Sequence, residues 1–242
     1  MPSRTTRNSA RVRAAGGPVV VTIDGPGGVG KSTVAKLLAE RLGIMYLDTG
    51  ATYRALAHAA LAQHALADAK KLAVLARRLP LRLEPVDGGT LRVWLNGEDV
   101  TEPIRTEKVS EAAAIVAGNP EVRAAMVRLQ RRLANGQGVV VEGRDTGSVV
   151  FPKATYKFFL DADAEVRAHR RQRELEKRYG RASLTTVREN LEVRDELDRS
   201  RRVGPLVKPK GAVAIDTSHL TTHDVVNKML RHIGASPRRG PS

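Results

Sequence analysis

The sequence predicts an α/β fold built on a doubly wound, five-stranded parallel sheet, and three observations carry that prediction. Five short apolar runs, at 19–23, 44–48, 138–141, 156–160 and 213–215, alternate with stretches of helical periodicity, the pattern of a sheet covered on both faces. A glycine-rich turn joins the first run to an amphipathic helix pattern, so a loop sits where strand passes into helix. Hairpin signals, Asp87-Gly88-Gly89 and Asn96-Gly97, cluster in one stretch, which confines antiparallel pairing to a small insertion.

The first unit reads VVVTIDGPGGVGKSTVAKLLAERL over residues 19–42. Its β-branched start suits a buried strand, and Val34, Leu37, Leu38 and Leu42 recur at helical spacing until Gly43, a C-cap. Between them Gly25, Gly30, Lys31 and Ser32 satisfy the G-x-x-x-x-G-K-[ST] spacing. In that pattern backbone N–H groups surround phosphates, the lysine reaches the β/γ oxygens and the hydroxyl ligates Mg²⁺. The helix N-terminus adds partial positive charge. The lysine is expected to be exposed.

After the second strand, Thr49-Gly50 opens a helix containing 51–62. Asp48, Thr49 and Arg54 thereby gather at the C-terminal edge of the sheet, where ligands bind in open α/β folds; as a helix N-cap, Asp48 or Thr49 would need no ligand. Residues 67–79 form another helix. Strands at 81–83, 91–95 and 99–101 make the insertion, leaning over the site. Residues 107–117 and 121–134 are helical, and Glu142-Gly143-Arg144-Asp145 follows the third core strand at its C-terminal edge. Between the last two strands, 165–202 holds twelve Lys and Arg against eight acids. Much of that segment is a solvated helical face, but Arg194, Asp195, Asp198 and Arg201 line one side of a helix.

At 242 residues the chain suits one α/β core with insertions. There is no cysteine, so disulfides and thiolate chemistry are excluded. No run approaches the ~18 apolar residues of a membrane span, and a soluble, cytoplasmic protein is expected. The net charge of +15 first suggests nucleic acid. Seven arginines, Arg4, Arg7, Arg11, Arg13, Arg231, Arg238 and Arg239, lie at the ends, however, and aromatics make up only 3%, too few for a base-stacking platform. A small polyanionic substrate accounts for the rest of the excess equally well. Residues 1–17, basic and without acids, read as a disordered tail, or as a short organellar transit peptide; 234–242 read as a flexible tail.

Six stretches, IDGPGGVGKST, YLDTGATYRA, GEDVTEPIRT, VEGRDTGSVVFP, FFLDADAEVRAHRR and RDELDRSRRVGPL followed by AIDTS, stand in the order found in bacterial-type cytidylate (CMP/dCMP) kinases. The chain resembles that family of P-loop nucleoside monophosphate kinases from residue 18 to about 230, both tails excluded. The resemblance implies a kinase domain over 18–233, with a monophosphate-binding insertion at about 80–124 and an Arg-rich mobile lid at about 165–202. It implies ATP and Mg²⁺, CMP or dCMP as acceptor, and a monomer that binds no nucleic acid specifically.

Carried over residue by residue, the resemblance puts Gly25, Pro26, Gly27, Gly28, Val29, Gly30, Lys31, Ser32 and Thr33 on the ATP phosphates, with Lys31 stabilising transferring charge and Ser32 on the metal. Arg54 and Arg144 would clamp the acceptor phosphate beside Thr49. Asp145, Arg123 and Arg201 would face cytosine, with Asp145 and Arg201 as a pair, and Arg194 and Asp198 would serve the sugar. Arg170 and Arg171 would close on ATP. Near Ala114 the family often carries a small hydroxyl residue, which is missing here. The rival readings are a UMP or AMP kinase on the same scaffold and a P-loop RNA-binding switch.

Overall fold

The computed structural model describes residues 13–14, 17–86, 90–134 and 136–235. Its centre is strand β1 (Val20–Asp24), flanked by β6 (Val139–Gly143) and β7 (Tyr156–Asp161), with β2 (Met45–Asp48) and β8 (Val213–Asp216) outside them in the order β8-β7-β1-β6-β2. Every pairing is parallel. The register sets Asp24 beside Gly143 and Asp48 beside Glu142, so the strands end together and their terminal carboxylates share one edge. Val21, Ile23, Val139, Val140, Val141, Phe158 and Leu160 are fully buried, as strands covered on both faces require.

Helix α1 (Lys31–Leu42) packs Val34, Ala35, Leu38 and Leu42 beneath the sheet, in one cluster with Val225, Val226, Met229 and Ile233 of the helix Thr222–Ala235. A second cluster lies across the molecule. It joins α2 (Thr49–Ala62), α3 (Ala69–Arg77), α4 (Glu107–Ala117) and α5 (Pro120–Leu133) to the insertion, whose strands β3 (Leu81–Val86), β4 (Thr90–Leu95) and β5 (Glu98–Asp99) pair antiparallel. The charged segment forms two helices, α6 (Ala164–Tyr179) and α7 (Leu184–Arg199), joined on their inner side by Ala168, Leu175, Val187 and Leu191. With α8 assigned to Thr222–Ala235, the described residues hold eight α-helices, besides a 3-10 turn at Pro103–Arg105 and a π-helical turn at Thr146–Val150.

Several boundaries differ from expectation. The last insertion strand is Glu98–Asp99 rather than 99–101, because Asn96 and Gly97, with φ of 52° and 85°, make a two-residue turn that pairs Leu95 with Glu98. Thr101 instead folds back, its hydroxyl accepting from Val93 N at 2.9 Å. Helix α7 ends at Arg199, so Arg201 lies beyond the helix whose face it was expected to share. The helix α8 extends through Gly234 and Ala235, into the expected C-terminal tail; residues 236–242 lie outside the described residues. Most of the expected tail at 1–17 also lies outside them, but Arg13–Ala14 pair with Gly17–Pro18 in a two-residue ladder.

Candidate active site

A cavity of about 690 Å³ opens along the C-terminal edge of the sheet, between the two clusters and under α6 and α7. One end is the loop 25–30. Gly25, Gly28 and Gly30 adopt φ of 151°, 77° and 89°, and a Cβ on Gly28 would sit 2.8 Å from the Arg167 carbonyl; these positions need glycine. Helix α1 starts at Gly30 with no side-chain cap and no acid in its first turn, so its N-terminal N–H groups are left to a ligand.

Lys31 is buried, not exposed as expected, and its ammonium donates to the Pro26 carbonyl at 2.5 Å. Burial, and after it the Arg144 guanidinium, lower its pKa to about 7. A lysine so placed is short of negative charge, which a phosphate would supply.

The sheet edge adds carboxylates with distinct tasks. Asp24 is buried and cross-links the strand ends, accepting from Thr146 N and Gly147 N at 2.7 Å and from the Thr146 hydroxyl at 2.8 Å. Glu142 accepts from the Tyr46 phenol at 2.5 Å; burial and Asp48 raise its pKa against the pull of Lys31. Asp48 is the N-cap of α2 and also an ion-pair partner. One oxygen caps α2 through Ala51 N at 2.9 Å and the other holds Arg54 at 2.8 Å. Thr49 donates to the Glu142 carbonyl at 2.7 Å.

Cations crowd the middle. Arg144 donates from Nε to Asp198 at 2.6 Å, and Arg201 pairs with the same carboxylate. Burial opposes the Asp198 charge, but Arg144, Arg201 and Arg194 together hold its pKa below the ordinary carboxylate value. For Arg194, burial and the neighbouring Arg144 lower the pKa to about 10. Arg54 keeps a buried Nε without a hydrogen-bond partner. Such a cluster, in which guanidinium groups outnumber carboxylates, is set up for polyanions.

At the far end Arg123 and Asp145 form a buried ion pair, and the Arg123 guanidinium stands 5.7 Å from the centre of the Tyr53 ring. Burial pushes the Asp145 carboxyl up while Arg123 pulls against it. Asp145 takes Arg123 and Arg201 takes Asp198 as ion-pair partner, while Arg201 still acts on the Asp145 charge. The α4 face here presents Ser110, Ala113, Ala114 and Ala117, small side chains that leave room for a ring. At the other rim Arg170 holds Thr217, donating to its carbonyl at 2.6 Å and hydroxyl at 3.0 Å, and Arg171 pairs with Glu174 at 2.8 Å.

Every site residue expected from the sequence except Gly25 and Pro26 lines this cavity, and those two stand in its loop. Tyr53, Arg105, Ser110 and Glu142 also line it without having been assigned. For Tyr53, Arg105 and Ser110 the available signal was proximity to expected residues: Tyr53 precedes Arg54, and Arg105 and Ser110 flank the start of α4.

Residues 21–235 match the sequence profile of the family described as cytidylate kinase. A cytidylate kinase of Caldanaerobacter subterraneus subsp. tengcongensis is 44% identical over 89% of this chain and 94% of its own length. One from Klebsiella pneumoniae is 45% identical over 88% and 94%, and one from Pelotomaculum thermopropionicum 45% identical over 90% and 97%.

Proposed function

Because the chain belongs to the cytidylate kinase family, we propose that it transfers the γ-phosphoryl group of ATP to CMP or dCMP, releasing ADP and the nucleoside diphosphate. One observation carries the assignment of ends. One cavity has an uncapped helix N-terminus with a charge-starved lysine at one side, the Arg123–Asp145 pair at the other, and further cations, Arg54, Arg144 and Arg194 among them, lining it.

The acceptor is a phosphate oxygen that is already anionic, so no strong general base is required. Catalysis is a matter of holding two repelling anions in line and stabilising the group in transit. Loop residues 25–33 grip the donor phosphates, and Lys31 neutralises the moving charge. Arg54 and Arg144, each oriented by a carboxylate, clamp the acceptor phosphate beside Thr49. Asp145 and Arg123 read the cytosine edge, since a carboxylate accepts from an exocyclic amine and repels the carbonyl of uracil. Arg201 stands with them at the base, Arg194 and Asp198 sit on the sugar side, and Arg170 and Arg171 on the rim over ATP.

The donor set fits Mg²⁺. The Ser32 hydroxyl and the Glu142 carboxylate are hard oxygens that line the same cavity. Among the described residues no group of three or more His, Asp or Glu could hold a metal by itself, which suits an ion bound through few protein oxygens plus phosphates and water. Such an ion supplies charge neutralisation between donor phosphates. A monomeric, cytoplasmic enzyme that acts on small molecules is part of the proposal; among the described residues no helix is long and apolar enough to cross a membrane.

A coupled ADP-release assay with CMP, dCMP, UMP and AMP in parallel tests the proposal. Turnover with CMP and dCMP well above UMP and AMP is expected. Preference for UMP or AMP would reassign the far end, and ATP hydrolysis with no small acceptor would favour a P-loop switch.

A further inference from the structure

One carboxylate is out of place in a cradle built for phosphates. Asp195 on α7 is 1% exposed and reaches down to the loop, where its Oδ1 accepts from Gly27 N at 3.1 Å. Its other oxygen pairs with Arg167 of α6, and the same guanidinium donates to the Gly27 carbonyl at 3.1 Å. Both polar backbone groups of a single loop residue are therefore held by one buried ion pair that spans the two lid helices. The approach is close. A Cβ on residue 27 would meet Leu191 Cδ2 of α7 at 2.8 Å and Asp195 Oδ1 at 3.7 Å, so glycine at 27 is what lets α7 settle onto the loop.

As a point charge, Asp195 works against the site, because an anion beside an anion cradle repels incoming phosphates. Its position is explained by the N–H it holds. We propose that Asp195 is a positioning residue: through Gly27 it fixes the shape of the phosphate loop, and Arg167 cancels its charge and anchors the neighbouring carbonyl. The consequence is that the base of the α6–α7 lid is tied to the donor site, so that donor affinity depends on a residue of the lid that faces neither nucleotide. The kinetic arm of the test rests on the reading of the loop as the ATP site; the exchange arm does not.

The test compares two isosteres. Asp195→Asn keeps an oxygen for Gly27 N–H and Asp195→Leu does not, while both lose the charge. Both also leave Arg167 buried without its countercharge, so the pair is repeated on an Arg167→Met background, where no lone charge remains, an exchange that is often neutral for folding; far-UV circular dichroism checks that each variant is folded. Hydrogen–deuterium exchange of the peptide spanning residues 25–30 is read without nucleotide, and steady-state constants are read with ATP and CMP. The Leu variants should exchange that peptide about tenfold faster than the Asn variants and raise the KM for ATP by about tenfold, with the KM for CMP within about twofold, the scale of one buried hydrogen bond. Equal exchange in the two isosteres would overturn the proposal. So would tighter ATP binding in both, the outcome of a purely electrostatic role, or parallel losses for ATP and CMP, the outcome of a general structural one. If the exchange contrast appears and neither variant nor wild type responds to ATP, the proposal about Gly27 stands and the donor assignment falls.

Discussion

Lys31 places function and stability in opposition. Its ammonium is desolvated and crowded by Arg144, against the weaker pull of Glu142 and Asp198, which costs the unliganded protein stability that a bound phosphate would restore. Lys31→Met should therefore lower kcat/KM by about 10²–10³, the scale of losing one charge stabiliser, while the Tm stays level or rises; a fall in Tm with the lost activity would refute it. Asp198 behaves in the opposite sense. Its folded-state pKa lies below the ordinary 3.8, so its ionised form favours the folded chain above that pH, and the contribution disappears as pH falls from 3.8 through the folded value. Asp198→Asn should cost about 3 kcal/mol near neutrality, because guanidinium groups lose a buried partner. In urea titrations the gap between wild type and variant should narrow below pH 4; a constant gap would show that charge is not the cause.

At the scale of elements, the helix α8 shows how a stretch without chemistry can decide stability. Val225, Val226, Met229 and Ile233 bury one stripe against the sheet cluster, and Met229 is fully buried. Met229→Ala should cost about 3 kcal/mol, or roughly 9 °C in Tm, with the KM for CMP unchanged, as calorimetry and kinetics can check. This helix went unread although its apolar residues recur at helical spacing, because it bears no motif. The parallel strands were legible because burial on both faces makes them continuous β-branched runs. The loop 25–33 was legible because its backbone path demands particular residues at fixed spacing. Partners were less so. The sequence brought Asp145, Arg123, Asp198 and Arg201 to one region, but which guanidinium meets which carboxylate depends on how far α7 runs before it stops at Arg199, and helix ends are the weakest point of any pattern reading. Glu142 was visible at a strand end, but its contact with Tyr46 depends on the β2–β6 register, which places Asp48 opposite Glu142.

For the whole molecule, charge and function separate. Residues 1–17 carry four arginines and no acid, and the family match begins only at residue 21. Deleting 1–17 should leave kcat and both KM values within about twofold, measured at fixed ionic strength; a several-fold loss of CMP affinity would make the segment part of the site.

The cavity lies along the seam between two separately packed hydrophobic bodies, one around the sheet with α1 and α8, the other around α2–α5 and the insertion. Apolar bridges between them include Leu83, which touches both, and Leu91 of β4, which is buried in the sheet cluster; a smaller cluster of Leu47, Ala134, Val139 and Val141 shares Leu133 with the second body. Cooperativity of unfolding is then something the nucleotides confer. In the free protein the insertion body can melt ahead of the sheet body, giving a calorimetric enthalpy larger than the van't Hoff value. A ligand spanning both ends, such as two nucleosides joined by a polyphosphate, grips groups from each body and should merge the two events into one sharper transition at higher temperature. A single two-state transition in the free protein would show that the seam is welded already, and the enzyme would then open its site without loosening either half.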